Sequence, residues 1–219
     1  GVQTCALPIS NSIPKERPID WVNTLFLVLT PLSALGLGAY VLTTEGFGWS
    51  YFALFVGMYI LTGISITAGY HRLYSHKAYQ ANPVVEIFFL LFGAAAFENS
   101  ALKWSTDHRR HHRHCDDNDK DPYSIGKGFF YAHMGWVMLK EQSAESTNYP
   151  KDLLKNPRVM WQHRLYLPLA IAVGFGLPTL IGYFLGSALA GLAFGGLIRV
   201  VVVHHATFFI NSLCHVLGS

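Results

Sequence analysis

Six histidines in three short stretches carry the chemistry that this chain could perform. They are His71 and His76 in "GYHRLYSH", His108, His111 and His112 in "WSTDHRRHH", and His215 in "NSLCH". His108, His111 and His112 stand at i, i+3 and i+4, so a helix there places all three on one face, close enough to share metal. His71 and His76 are five apart, about 140° out of phase on an ideal helix, which predicts that the helix ends or distorts within "HRLYSH". Asn211 and His215 are again i and i+4, on one face. Imidazole suits Fe, Zn or Cu, whereas a closed structural zinc site uses four ligands, usually with thiolates. Six histidines exceed that need, so the count points to more than one metal ion, redox-active iron first among them.

The elements that must position these side chains are membrane helices. The 219 residues are 51% hydrophobic and only 13% charged, against about 25% charged in an ordinary soluble domain. Four apolar stretches are long enough to cross a bilayer core, which takes about 20 helical residues. They lie at about 21–42, 49–70, 165–185 and 187–209, with connectors short enough to make two helical hairpins. Of sixteen Lys and Arg, thirteen fall between His71 and Arg164, two precede the first span, and Arg199 lies inside the fourth. The positive-inside rule then puts the N-terminus and the segment 71–164 in the cytoplasm, and Arg199 should face the bundle interior. A further run, "VVEIFFLLFGAAAF" from Val84, is too short to span and reads as re-entrant or interfacial. The expected fold is therefore an all-α integral membrane protein, with four transmembrane helices as two hairpins and a cytoplasmic, helical, histidine-rich region. Every histidine stretch falls at the cytoplasmic boundary, so segments far apart in sequence meet at one depth.

Several function classes drop out. A net charge of +3 gives no footprint for nucleic acid. Cys5, Cys115 and Cys214 make no CxxC pair and no even framework, so they read as free thiols. No HExxH, ExxH pair of the soluble di-iron bundles, GxGxxG or GxSxG occurs, leaving zinc peptidase, nicotinamide and acyl-hydrolase chemistry without support.

"GYHRLYSH", "WSTDHRRHH" and "NSLCH" resemble the first and second histidine boxes and the Asn/His element of membrane fatty acid desaturases, specifically the acyl-CoA Δ9 (stearoyl-CoA) group. "DPYSIGKGFFYAHMGW", from Asp121, is similar to the segment that follows the second box. The resemblance runs from about Pro18 to the C-terminus. It implies a di-iron centre of two Fe2+ with His71, His76, His108, His111, His112 and His215 as direct ligands and Asn211 binding through water. It also implies O2 as co-substrate, a fatty acyl-CoA substrate, and a separate electron donor such as cytochrome b5 or a ferredoxin. Lys140 is expected to meet CoA phosphates, an apt task for a point charge. Asp107 is expected to meet the CoA headgroup or to orient a ligand imidazole, and Trp104 to line the mouth of the acyl tunnel.

The family's third box, a further HxxHH, has no counterpart before Ser219. The expectation is a reading frame truncated at its C-terminus, which as written binds iron poorly and is inactive. The opening "GVQTCALPIS" resembles a sequencing adapter read in frame, so residues 1–10 are expected to be non-native and 11–219 a single desaturase domain. Asp116, Asp117, Asp119 and Asp121 lack the glycine and glutamate of a calcium loop and read as a solvated acidic loop that pairs with Arg109, Arg110 and Arg113. His114, His133, His163, His204 and His205 read as structural or surface histidines. The alternatives are an acyl-lipid desaturase, a histidine-rich membrane hydroxylase and, from another class, a non-catalytic metal-binding membrane protein or a transporter.

Overall fold

The computed structural model describes residues 17–140 and 148–217. The adapter-like opening, expected at 1–10, lies outside the described residues. The helices in chain order are α1 (Trp21–Thr44), α2 (Trp49–Ser75), α3 (Pro83–Ala94), α4 (Ala101–Arg113), α5 (Phe129–His133), α6 (Lys151–Leu154), α7 (Pro157–Arg164), α8 (Tyr166–Phe184) and α9 (Ala188–Leu217). Among the described residues there is no β-strand, only an isolated antiparallel bridge between Ile19 and Leu139. The four expected spans are found as α1, α2, α8 and α9, each long and apolar enough to cross a membrane. The second and fourth run several residues past their expected ends, and those extra turns carry ligand-type histidines.

The helix α1 shows how lipid and protein faces are sorted. Asp20 caps its start by accepting the Asn23 N–H at 3.2 Å, as an Asp at this position does well. Leu27, Thr30, Ala34, Gly38 and Val41, spaced by three or four residues, form the buried stripe, while Val22, Leu25, Leu29, Leu32 and Leu35 stay exposed. In water such a face would be unstable; in lipid it is the solvated one. Gly38 lets Ile198 approach, because an added Cβ would stand 3.2 Å from its Cδ1. At the α8–α9 turn the backbones touch, and a Cβ on Gly191 would lie 2.7 Å from the Gly182 Cα, the small-residue contact typical of membrane helices. The most enclosed span is α9, with 44% of its apolar window buried against 22 to 28% in the others. Both α1 and α2 pack on its first turns.

Three spans contain π-wound segments, at Ser65–Ser75, Ala172–Gly176 and Gly191–Ile198. Such wide turns recur at functional sites, and here two of them serve a buried cation. Arg199 is fully buried, and its guanidinium donates to the carbonyls of Gly195 at 3.1 Å, Ala95 at 2.5 Å and Gly174 at 2.7 Å. Gly195 and Gly174 lie in the π segments of α9 and α8, and Ala95 closes α3. The charge expected to face the bundle interior does so, joining three helices through backbone carbonyls.

The short apolar helix α3 begins at Asn82, which accepts the Val85 N–H at 3.0 Å, with Pro83 in the first helical position. Its one acid, Glu86, is buried. Arg158 on α7 donates to both its oxygens at 2.8 and 3.0 Å, and Asn156 donates at 3.1 Å. Burial would raise the Glu86 carboxyl, but the hydrogen bonds from Arg158 and Asn156 outweigh it and hold the group below the usual range.

Candidate metal centre

The first pair of histidines is delivered by the π winding of α2. The His76 N–H donates to the His71 carbonyl at 3.0 Å, an i to i+5 bond. That widening turns two residues which an α-helix would splay into neighbours, with ring centroids 4.5 Å apart. The helix thus distorts within "HRLYSH", as its spacing predicts. Arg109 on α4 holds the end of this segment by donating to the carbonyls of Ser75, at 3.0 Å, and Tyr74. Its other face grips Asp152 at 2.9 and 3.0 Å. Those bonds hold the Asp152 carboxyl well below the usual carboxylate range.

The second set rides on α4. Ser100 caps its start, accepting the Lys103 N–H at 3.3 Å. Trp104, His108, His111 and His112 then recur at helical spacing, with ligand-bearing turns at the C-terminal end, where the helix dipole favours cations. His108 stands at the middle. Its Nε2 lies 3.1 Å from His76 Nε2 and 3.0 Å from His112 Nε2, and its ring is 4.7 Å from that of His71. Trp104 stacks on its outer face with ring centroids 4.9 Å apart. His71, His76, His108 and His112 offer ligand atoms all within 4.8 Å of one another.

Beside the quartet, its ring 5.5 Å from that of His112, His111 meets His215 from the end of α9, ring centroids 5.2 Å apart. Each imidazole has its own carboxylate. His111 Nδ1 donates to Asp121 at 2.9 Å, and His215 Nδ1 donates to Asp116 at 3.2 Å. Nδ1 so occupied leaves Nε2 unprotonated and free to bind a cation. Asp121 has no exposed surface. It is fixed in turn by the backbone N–H groups of Asp116 at 2.9 Å and Tyr123 at 3.1 Å, and the Tyr123 ring stacks on His111 at 4.4 Å.

The donor set fits iron ions of the kind the resemblance implies. A single N–H on His108 could serve only one of its two close imidazole neighbours, whereas a cation serves both. Burial, then the neighbouring His71 and His112, pushes His108 down to about 2, and the same causes, burial first and then His76, lower His112. Both rings are therefore neutral, the form that ligates metal. The quartet contains neither thiolate nor carboxylate, so its ligands leave the charge of a bound cation uncompensated.

The structure brings His71, His76, His108 and His112 into one group and His111 and His215 into a second. Asn211, half-buried, stands one turn before His215 on the same face of α9. Lys140 is exposed. Its backbone N–H donates to the Pro18 carbonyl at 2.8 Å, tethering it beside the start of α1. The Asp107 carboxylate pairs with Lys103 at 2.8 Å and lies 3.7 Å from Arg110.

Sequence reasoning missed three features. The acidic stretch is not simply solvated: Asp121 is buried against His111, and Arg109 pairs with Asp152 instead of the acidic loop. A Pro follows Asp121, and an acid held inside a tight turn was the available signal. Glu98 was not singled out, yet it accepts the Trp104 indole N–H at 3.2 Å and the Thr207 hydroxyl at 2.8 Å. Burial pushes its carboxyl up to about 7, against the hydrogen bonds from Thr207 and Trp104, which lower it. His204 donates from Nε2 to the Ala96 carbonyl at 2.9 Å, so α9 holds the turn before α4 through Arg199, His204 and Thr207 together. His133 joins Ser212 and His205, at 3.0 Å each.

Comparison with known proteins follows the same residues. A family model described as "Fatty acid desaturase" matches residues 47–217. The chain is 41% identical over 205 residues to a protein of Schizosaccharomyces pombe named "Probable acyl-CoA desaturase", covering 93% of this chain and 42% of that protein. It is 36% identical over 216 residues to the Delta(9)-fatty-acid desaturase fat-7 of Caenorhabditis elegans, covering 95% of this chain and 63% of the relative. It is 35% identical over 204 residues to the stearoyl-CoA desaturase of Capra hircus, covering 90% and 56%. The chain thus spans less than two thirds of the length of each of these relatives. With four apolar helices, two groups of imidazoles at their ends and this agreement over most of its residues, the chain belongs to the fatty acid desaturase family of integral membrane proteins.

Proposed function

We propose that the whole protein is a fatty acyl-CoA Δ9 desaturase, which inserts a cis double bond into a saturated acyl chain in an O2-dependent reaction. The observation that carries this reading is the four-imidazole group of His71, His76, His108 and His112, closed on one side by the Trp104 ring, in a chain of this family. The names of the relatives, acyl-CoA, Δ9 and stearoyl-CoA desaturases, support the substrate class. His71, His76, His108 and His112 would hold one Fe2+, and His111 and His215, with Asn211 through water, would contribute to a second. When bound, such a pair supplies, with O2 and electrons from a separate donor, the oxidising power that side chains lack.

The chain's own residues do the rest. Asp121 and Asp116 keep Nδ1 protonated and aim Nε2 of His111 and His215. Trp104, held by Glu98, walls the site on the side of the membrane helices and orients an acyl tail against it. Lys140, tethered beside the start of α1, receives the anionic headgroup, and Asp107 orders the cations of α4 by pairing with Lys103 and lying against Arg110. The concentration of Lys and Arg in 71–164 supports a topology of two hairpins with the N-terminus and the histidines on the cytoplasmic face.

The test is expression of the whole protein in a host deficient in its own desaturase, with product analysis by mass spectrometry. A cis Δ9 alkene that disappears in His108→Ala supports the reading; an alcohol identifies a hydroxylase, and saturated chains alone sink both. Lys140→Ala should raise KM for CoA thioesters while sparing lipid-linked chains. Equal loss on both would remove Lys140 from headgroup binding.

A further inference from the structure

Away from the imidazoles, a cavity of about 500 Å³ lies between the end of α2, the start of α3 and α6, within the size range of ligand sites, roughly 300–1,000 Å³. Its wall carries charge of both signs. Lys77 and Asp152 form an ion pair at 2.9 Å on the exposed rim, and Glu86 lies buried at the floor. Arg109 and Arg158 hold these two carboxylates from behind, at 2.9 and 2.8 Å, and neither arginine lines the cavity. The cavity thus presents one ammonium and two carboxylates, together with Tyr74 and Tyr79. Tyr79 is fixed by its hydroxyl, which donates to the Ala68 carbonyl at 2.7 Å.

Lys77 stands where the backbone favours glycine. It follows the π-wound segment of α2 with a φ of 52°, in the left-handed region that side chains disfavour, and the Ala78 N–H closes the turn on the Arg72 carbonyl at 2.9 Å. A lysine here sets a cation on the rim at a conformational cost that glycine would avoid. Its ammonium has three donors, of which Asp152 takes one. The cavity also stands where lipid meets water. The helix α2 is a membrane span, and its neighbour α3 is apolar but too short to cross. Val84 and Ile87, flanking Glu86, and Leu154, next to the lining residue Leu153, are exposed apolar side chains.

We infer that this cavity binds the headgroup of a zwitterionic phospholipid, with its phosphate on Lys77 and its ammonium against Asp152, Glu86 and the two tyrosines. Its tails lie on the apolar surface of Val84, Ile87 and Leu154. The opposite charges side by side on the rim match the adjacent phosphate and ammonium of such a headgroup, and aromatic rings attract the ammonium. A headgroup without an ammonium turns only negative charge towards the two carboxylates, which selects against anionic lipid. The bound lipid joins α2 to α6 across the Lys77 and Asp152 pair. The site shares no residue with the imidazole groups and does not depend on the reaction proposed for them.

The experiment is native mass spectrometry of the whole protein, delipidated in detergent and titrated with phosphatidylcholine, phosphatidylethanolamine, phosphatidylglycerol or the tail-free glycerophosphocholine. The wild type should take up one phosphatidylcholine or phosphatidylethanolamine saturably, and phosphatidylglycerol at least about tenfold more weakly. Two variants attack the site differently. Lys77→Gly suits the φ of that position and leaves Asp152 with Arg109, while Ala81→Trp fills the cavity, which Ala81 lines, without changing its charge. Each should bind phosphatidylcholine at least about tenfold more weakly than wild type, with unchanged far-ultraviolet circular dichroism. Equal affinity for phosphatidylglycerol, uptake that stays proportional to lipid concentration, glycerophosphocholine bound as tightly as the lipid, or unchanged affinity in either folded variant would overturn the assignment.

Discussion

His71 and His76 stand five residues apart, yet their rings lie 4.5 Å centroid to centroid, because the helix that carries them is π-wound, with the His76 N–H bonded to the His71 carbonyl. An α-helical continuation would rotate one ring away from the other. The winding is thus what converts a spacing unsuited to shared ligation into one that suits it.

Deleting one exposed residue from this segment, Thr67, should relax it to α-helical winding and turn His76 by about 100° relative to the residues before the deletion. The expected outcome is loss of metal from the four-imidazole group, measured as metal per chain, while Thr67→Ala keeps it. Equal metal content in the deletion variant would show that the winding is incidental to ligation.

Asp121→Asn should loosen His111 without removing it. The substitution weakens an acceptor shared by His111 Nδ1, the Asp116 N–H and the Tyr123 N–H, and loss of such outer partners costs roughly 10–100-fold in metal affinity. Competition with a chelator of known strength measures the change. An affinity within twofold of wild type would remove Asp121 from the ligand-orienting role.

Arg199→Met should destabilise the bundle, since it removes the donor that joins the carbonyls of Gly195, Ala95 and Gly174. A hydrogen bond contributes about 0.5–1.5 kcal/mol net, so losing three predicts a loss of about 2–5 kcal/mol, read from unfolding in detergent. Arg199→Lys, with one ammonium for three carbonyls, should recover only part. Full recovery by Lys would mean that charge, and not the three-way fork, is what matters.

Glu98 predicts a pH dependence of stability. Its folded pKa, about 7, lies above the unfolded value of about 4.3, so the folded state holds the proton more tightly. The contribution is fully present below the unfolded value and is lost as pH rises through about 7. The melting temperature of wild type minus that of Glu98→Gln should therefore fall across that interval. Glu86, whose folded pKa is depressed, loses its contribution at lower pH and cancels in the difference. A flat difference would show that the Glu98 carboxyl titrates normally.

Much of the protein was legible in its residues alone. Long apolar runs made the four membrane helices, since backbone polar groups in lipid must pair within the segment. The i, i+3, i+4 spacing put His108, His111 and His112 on one face, and the five-residue gap required a distorted helix. Those are local consequences of helical geometry. What the linear pattern could not contain is pairing between distant segments. Which imidazoles form the quartet, and which meet His215, depends on how α4 lies between α2 and α9. That Asp121 is buried against His111, that Glu98 holds Trp104, and that Arg199 ties three helices through carbonyls are outcomes of packing, because each joins groups whose separation in sequence gives no hint of contact. The sequence by itself determined the membrane helices and the kinds of ligand available; only the tertiary structure decided which donors share a site, because ligation depends on distances of a few ångströms between side chains that the chain brings together only when it folds.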